Sequence, residues 1–235
     1  MKLLELFSGT KSVGKVAQQL GYEVTSLDLK DADINCNILD WDYTTYPVGY
    51  FDVIWGSPPC DTFSMLRLSH IGRHGFTKEK IQDDIDNIGL PILRRTEEII
   101  NYFKPQYYFI ENPQTGRMKE YINKPYYDVD YCKYADWGYR KRTRIWTNLT
   151  GFIPKVCKKD CNSMDGTKHK LNIGHVDFVK DGDKVISLAT KELRIKYKDY
   201  ERIQEKKVSL TLKQKYRIPP ALIEELFNCM NLDLR

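Results

Sequence analysis

Gly56-Ser-Pro-Pro-Cys60-Asp-Thr-Phe-Ser64 follows directly on an apolar run, Tyr50-Phe-Asp-Val-Ile-Trp55. The run has the composition of a buried strand bounded by turn residues. Pro58 and Pro59 then fix φ and remove backbone donors, so the strand cannot continue through them. A strand that stops this abruptly sets Cys60 at its carboxyl end, where open α/β sheets bind their ligands. By itself the stretch suits a small packed thiol as well as a reactive one.

Upstream of it the chain repeats one pattern. Lys2-Leu-Leu-Glu-Leu-Phe7 reads as a first strand and runs into Ser8-Gly9-Thr10-Lys11. Val13, Val16, Ala17 and Leu20 then recur at helical spacing, and Gly21 ends the helix. A strand, a glycine loop and a helix open a nucleotide-binding βα unit, although this loop is not the G-x-G-x-x-G of dinucleotide sites. Glu23 to Leu27 is a second strand with Asp28 at its end, placed either to meet ribose hydroxyls or to close a turn. Ile34 to Leu39 reads as a third strand ending at Asp40.

Downstream, Ser64 to Phe76 is a basic, glycine-punctuated loop carrying Arg67, His70, Arg73 and His74, suited to closing on an anion. Lys78 to Phe103 has helical periodicity, with Pro91 as the expected break. Gln106 to Ile110 is a fifth strand and leads straight into Glu111-Asn112-Pro113. If it pairs with the Cys60 strand, a thiol and a carboxylate share one sheet edge, as covalent catalysis with acid assistance requires. This series predicts an α/β fold, a doubly wound and mostly parallel sheet with a nucleoside-bearing ligand across its carboxyl ends. In Tyr139 to Thr147, alternation puts Arg140, Arg142 and Arg144 on one face and Lys141, Thr143 and Ile145 on the other. Such a row of guanidinium groups needs an anion or acidic neighbours, unless it is the charged face of an edge strand.

Together these motifs resemble the cytosine-C5 DNA methyltransferases. Pro59-Cys60-Asp-Thr-Phe63-Ser64 matches the family's Pro-Cys-x-x-Phe-Ser loop, and Leu6-Phe7-Ser8-Gly9 its cofactor loop. Glu111-Asn112-Pro113 approaches Glu-Asn-Val, with Pro113 in place of Val, and Arg140-Lys-Arg142-Thr-Arg144 approaches Gln-x-Arg-x-Arg, with Arg140 in place of Gln. Tyr216 to Ile223 is similar to the family's Gly-Asn-Ser-Val-Pro-Pro segment, whose helix returns to the cofactor side. The resemblance implies a Rossmann-like class I methyltransferase that uses S-adenosylmethionine and acts on a cytosine flipped out of DNA, double-stranded in preference to single-stranded. It implies Cys60 as nucleophile, its thiolate favoured by helix amides or arginine. Glu111 is the implied acid, protonated near neutrality, and Arg142 and Arg144 hold the base or its backbone. Phe7, Ser8, Gly9, Asp28, Leu29, Asp40 and Pro59 are the implied cofactor contacts. Two other readings remain on the same scaffold, an RNA (tRNA) methyltransferase and a catalytically silent nucleic-acid-binding relative. Ser57-Pro58-Pro59 is also similar to the Ser-Pro-Pro-Tyr of amino-methyltransferases, which makes cytosine N4 a minor alternative.

The motifs leave one segment unmatched and divide the chain into a catalytic sheet (1–150), a small target-recognition insertion (151–207) and a returning C-terminal helix (208–235). Residues 151–207 hold 14 Lys and Arg against 9 Asp and Glu, nearly the whole excess of a chain whose net charge is +5. This is the footprint of a polyanion partner or of solvated charged helices. Val176 to Ile186 reads as a hairpin turning at Asp181-Gly182, and Thr190 to Lys207 as a charged helix. Cys157-x3-Cys161 with His169 and His175 has the ligand types of a small zinc site, but its centre is shorter than in common fingers. Free thiols and exposed histidines are favoured there, and no metal ligand is assigned. No apolar stretch approaches the ~20 residues of a membrane span, and the N-terminal segment lacks the features of a signal peptide. The six scattered cysteines point to a reducing compartment, the cytoplasm of a prokaryotic or virus-infected cell, with a monomer expected.

Overall fold

Lys2–Leu6 (β1), Glu23–Asp28 (β2) and Val53–Gly56 (β4) are short runs dense in Leu, Val and Ile, and they hydrogen-bond side by side in parallel. The computed structural model describes residues 1–72, 75–171, 178–187, 191–203 and 210–233. Ile34–Asn35 (β3) extends the sheet beyond β2, and Tyr107–Pro113 (β5) pairs in parallel with β4. Arg142–Thr147 (β7) runs antiparallel to β5, and Tyr126–Asp130 (β6) closes the edge antiparallel to β7. The order β3-β2-β1-β4-β5-β7-β6 reverses direction in space after β1, so the crevice between β1 and β4 is the topological switch point.

Alternation along each strand feeds two cores. Leu3, Val53, Phe109 and Ile145 face Ser12–Gln19 (α1) and Pro220–Asp233 (α6), whose Leu222, Ile223, Leu226 and Phe227 are fully buried. Leu4, Ile54, Ile110 and Trp146 face Lys78–Asp84 (α2) and Leu90–Phe103 (α3). Helices on both faces make the fold doubly wound and Rossmann-like. The Ser12 hydroxyl accepts from the Ile218 amide at 3.2 Å and fixes the entry of α6 beside α1.

Several boundaries differ from the sequence expectation: β5 runs on through Glu111 to Pro113, and β7 begins only at Arg142. The third strand does not reach Leu39, because the Asn37 side chain accepts from the Leu39 amide at 3.1 Å and turns the chain after Asn35. Pro91 does not break the helix. It occupies the start of α3, and the π-helical turn Ile85–Gly89 joins α2 to α3, absorbing the carbonyl that its ring would otherwise meet.

The described parts of residues 151–207 are small pieces. Met164–Asp165 (β8) pairs with Lys168–His169 (β9), and Phe178–Asp181 (β10) pairs with Lys184–Ser187 (β11), so Asp181 opens the hairpin turn. Lys191–Lys196 (α4) is shorter than the expected helix and is followed by Arg202–Ile203 (β12), which adds to β10. Leu212–Tyr216 (α5), capped by Thr211, leads into α6. Arg73, His74, His175 and residues 204–207 lie outside the described residues. Among those described, no helix is long and apolar enough to cross a membrane.

Candidate active site

The register Gly56↔Ile110 between β4 and β5 brings the Cys60 loop and Glu111 to the same edge. Several contacts hold the loop. Asn112 donates to the Pro58 carbonyl at 2.8 Å, the Trp55 indole donates to Ser57 Oγ at 3.1 Å, and the Arg117 amide donates to the Phe63 carbonyl at 2.8 Å. Phe63 is buried against Tyr121, and Ser64 accepts from the Leu66 amide at the start of the 3₁₀ helix Met65–His70. The helical layer comes so close at Gly89 that a Cβ there would lie 2.4 Å from Thr62 Oγ1 and 2.9 Å from the Phe63 ring. Glycine is required at that crossing. The loop is therefore set from both sides before any substrate arrives.

Glu111 is buried, at 6% exposure. Its Oε1 accepts from the Tyr131 hydroxyl at 2.9 Å and lies 3.7 Å from Lys141 Nζ. Burial, and then the Glu111 charge, hold the Tyr131 phenol well above its ordinary range, so it stays a donor. Burial also pushes the Cys60 thiol up, Glu111 adds to this, and Lys141 opposes both. The expected lowering of Cys60 by helix amides or arginine is not found, because desolvation outweighs the Lys141 charge. Tyr216, just ahead of α6, is also within electrostatic reach of Cys60.

Arg142 and Arg144 lie on the other face. Glu111 is opposite Ile145 across the ladder, and Arg144 is opposite Asp128 and Asn112, so the arginines point away from the Glu111 side. Arg140 and Arg142 both pair in bidentate fashion with the buried Asp130, at 2.9–3.1 Å, and Arg144 pairs with Asp128 at 2.8 Å. Burial works against ionisation of Asp130, yet the Arg142 and Arg140 guanidinium groups and the Cys157 amide hold its carboxyl below the usual range. Acidic neighbours accompany the arginine row. Arg67 is likewise committed, to Asp84.

At the switch point, β1 ends in a loop with Phe7 (φ 60°), Gly9 (φ 41°) and Lys11 (φ 53°) in the left-handed region. The Gly9 amide donates to Asp28 Oδ2 at 2.8 Å, and Asp28 Oδ1 accepts from the Leu29 amide at 2.7 Å, so Asp28 ties the loop to the end of β2. Ser8 Oγ is buried with no partner among the described residues. Leu29 is 71% exposed on this edge, and Pro59 and Asp40 are exposed as well. A Cβ at Gly9 would meet only the Phe7 carbonyl, at 3.8 Å, so the space above the loop is open. An orphaned hydroxyl, an open backbone and an exposed leucine together fit a nucleoside-bearing group.

The sequence reading missed Tyr131, Lys141 and Asn112. Lys141 was legible as the residue on the face opposite the arginines, but the side of the sheet carrying Glu111 was not. A second cluster forms beyond β6, where Cys132, Cys157, Cys161 and His169 bring their donor atoms within 4.8 Å of one another. Free thiols and exposed histidines were expected there, and Cys132 was not in the expected set.

The sheet order, with its antiparallel edge of β7 and β6, is that of a Rossmann-like class I methyltransferase fold. Sequence comparison adds that a chain of Frog virus 3 (isolate Goorha), named "Probable DNA (cytosine-5)-methyltransferase", is 45% identical over 233 residues, covering 97% of this chain and 99% of the relative. The chain belongs to the DNA (cytosine-5)-methyltransferase family. The methyltransferase EhMeth of Entamoeba histolytica superposes with a TM-score of 0.55 over 100% of this chain and 99% of its own, at 13% identity, and shares the fold. A DNMT2 structure from Spodoptera frugiperda covers 67% of this chain and 53% of its own, at 19% identity and a TM-score of 0.41. No family model matches the chain.

Proposed function

We propose that the chain methylates C5 of cytosine in duplex DNA through a covalent bond from Cys60, with S-adenosylmethionine as donor. The observation that carries this reading is the pairing of Cys60 with Glu111 at the ends of adjacent parallel strands, with Tyr131 and Lys141 on the Glu111 carboxyl. Ser8, Gly9, Asp28 and Leu29 would hold the donor, with Phe7, Asp40 and Pro59 at its margins. When bound, S-adenosylmethionine supplies an electrophilic methyl group to the carbon that the chain's own residues make nucleophilic.

Those residues act on the base in a fixed order. Cys60 gives up its proton to the Glu111 carboxylate, its sulfur bonds to C6, and Glu111 passes that proton on to N3, so charge does not build on the ring. With Oε1 engaged by Tyr131 and Lys141, Oε2 is the oxygen left to relay that proton. Lys141 is the cation that favours the thiolate. C5 then carries the ring's nucleophilic electron pair. Once C5 has gained the methyl group, solvent takes its hydrogen as a proton, the freed electron pair restores the C5–C6 double bond and expels Cys60 as thiolate, and the N3 proton returns through Glu111 to the sulfur. Flipping the cytosine out of its stack costs a few kcal/mol, which contacts to the backbone must offset. Arg142 and Arg144 would contribute as the rigid frame of β7 that aims Lys141, instead of touching the base.

The relative's source and the scattered placing of the six cysteines support a reducing compartment, such as the cytoplasm of an infected cell. Duplex DNA and tRNA offered in parallel with the donor test the reading. Bisulfite sequencing is expected to find protected cytosines in the DNA, and methylation confined to tRNA would move the activity to the RNA alternative.

A further inference from the structure

Cys157 Sγ lies 3.6 Å from His169 Nε2, and Cys161 Sγ lies 3.4 Å from the same nitrogen. Tetrahedral zinc with Zn–S of about 2.3 Å and Zn–N of about 2.05 Å places sulfur and nitrogen about 3.6 Å apart. Cys132 Sγ completes the group within the 4.8 Å envelope. We propose that Cys132, Cys157, Cys161 and His169 bind one Zn²⁺, through three thiolates and the imidazole Nε2.

Four further features suit that ion. Lys159 sits in the left-handed region at φ 69°, and its amide donates to Cys157 Sγ at 3.3 Å. Amide donors of this kind orient thiolate ligands and reduce their charge. Three thiolates on Zn²⁺ leave one net negative charge, and Arg140 and Lys133 stand within electrostatic reach of the sulfurs. Soft sulfur donors with one imidazole select zinc over oxygen-seeking cations. Cys132 and Cys157 are buried, while Cys161 and His169 are partly open, and a cleft of about 470 Å³ bordered by Cys132, Lys133, Asp160 and Cys161 provides a path of entry.

The consequence is mechanical. Cys132 follows Tyr131, the donor to Glu111, and the Cys157 amide donates to Asp130 Oδ2 at 2.8 Å. The ion would fasten residues 157–169 to the end of β6, one residue from the hydroxyl that orients Glu111. Binding releases the thiol protons.

The full-length chain, purified under reducing conditions without chelator, is expected to hold one equivalent of zinc by plasma mass spectrometry. C161A and H169A should lose it, and H175A should keep it. Because loss of a ligand can unfold the region, H169C provides the second arm. It should retain one equivalent and, loaded with Co²⁺, show thiolate ligand-field bands shifted from those of the wild type. Chelation of the wild type should lower its melting temperature. Wild-type protein without stoichiometric metal, a disulfide among these cysteines, or zinc that stays bound in both C161A and H169A would overturn the proposal.

Discussion

Cys60 is a thiol that its surroundings hold in the protonated form, through burial first and the Glu111 carboxylate second, with Lys141 in opposition. Alkylation by iodoacetamide follows the thiolate fraction, so its rate at Cys60 should climb with pH and inflect above the ordinary thiol value of 9.0. E111Q removes a charge that raises the pKa and should speed alkylation at fixed pH, by roughly threefold to tenfold. K141M removes the opposing charge and should slow it. Equal rates in all three proteins would mean that the pair does not set the state of the thiol. Cys60 and Glu111 were legible in the sequence because each comes just past the end of an apolar run, with prolines beside it. Tyr131, and the place of Lys141 on Glu111, were not, because they depend on how β6 and β7 pair beside β5, and this is a property of sheet pairing.

Among the elements, the β6–β7 ladder is organised by Asp130. Its side chain is fully buried and receives Arg140, Arg142 and the Cys157 amide. Removing it strands two guanidinium groups that are each about one-third exposed, so D130A should destabilise the fold by about 3 kcal/mol, the low end for a broken buried pair. Urea denaturation measures this, and a loss below about 1 kcal/mol would show that solvent already satisfies the arginines. The arginine row was visible as an alternating pattern, and its requirement for acidic neighbours followed from charge alone. That the neighbours are Asp128 and Asp130 depends on the register Asp128↔Arg144 and Asp130↔Arg142, which no spacing in the sequence encodes. The short β3 and the π-helical turn before Pro91 are local in the same sense, since a side-chain turn at Asn37 and a ring–carbonyl clash decided them where periodicity did not.

Across the whole molecule, the doubly wound sheet could be read from the succession of apolar runs and loops, and the reversal of order at β1 puts both the cofactor loop and Cys60 on one edge. Glu5 lies under that loop. It is buried, accepts from the Val13 and Gly14 amides at 3.2 and 3.0 Å, and burial pushes its carboxyl up to about 7. A carboxyl raised in the folded state stabilises the fold fully below its unfolded value of 4.5, and that contribution is lost as pH rises to about 7. The wild type should lose on the order of 3 kcal/mol relative to E5Q across this window. Parallel stability curves for the two proteins would contradict it.

The central claim, that Cys60 bonds to a cytosine presented beside Glu111, has a direct measurement. Duplex DNA bearing 5-fluorocytosine cannot lose a proton from C5, so the Cys60–C6 bond should persist. In the presence of S-adenosylmethionine the wild type should form a denaturation-resistant protein–DNA adduct, mapped by mass spectrometry to Cys60, and C60A should form none. A wild-type protein that binds the donor and the DNA yet leaves no adduct, or an adduct mapped to another residue, would contradict the account.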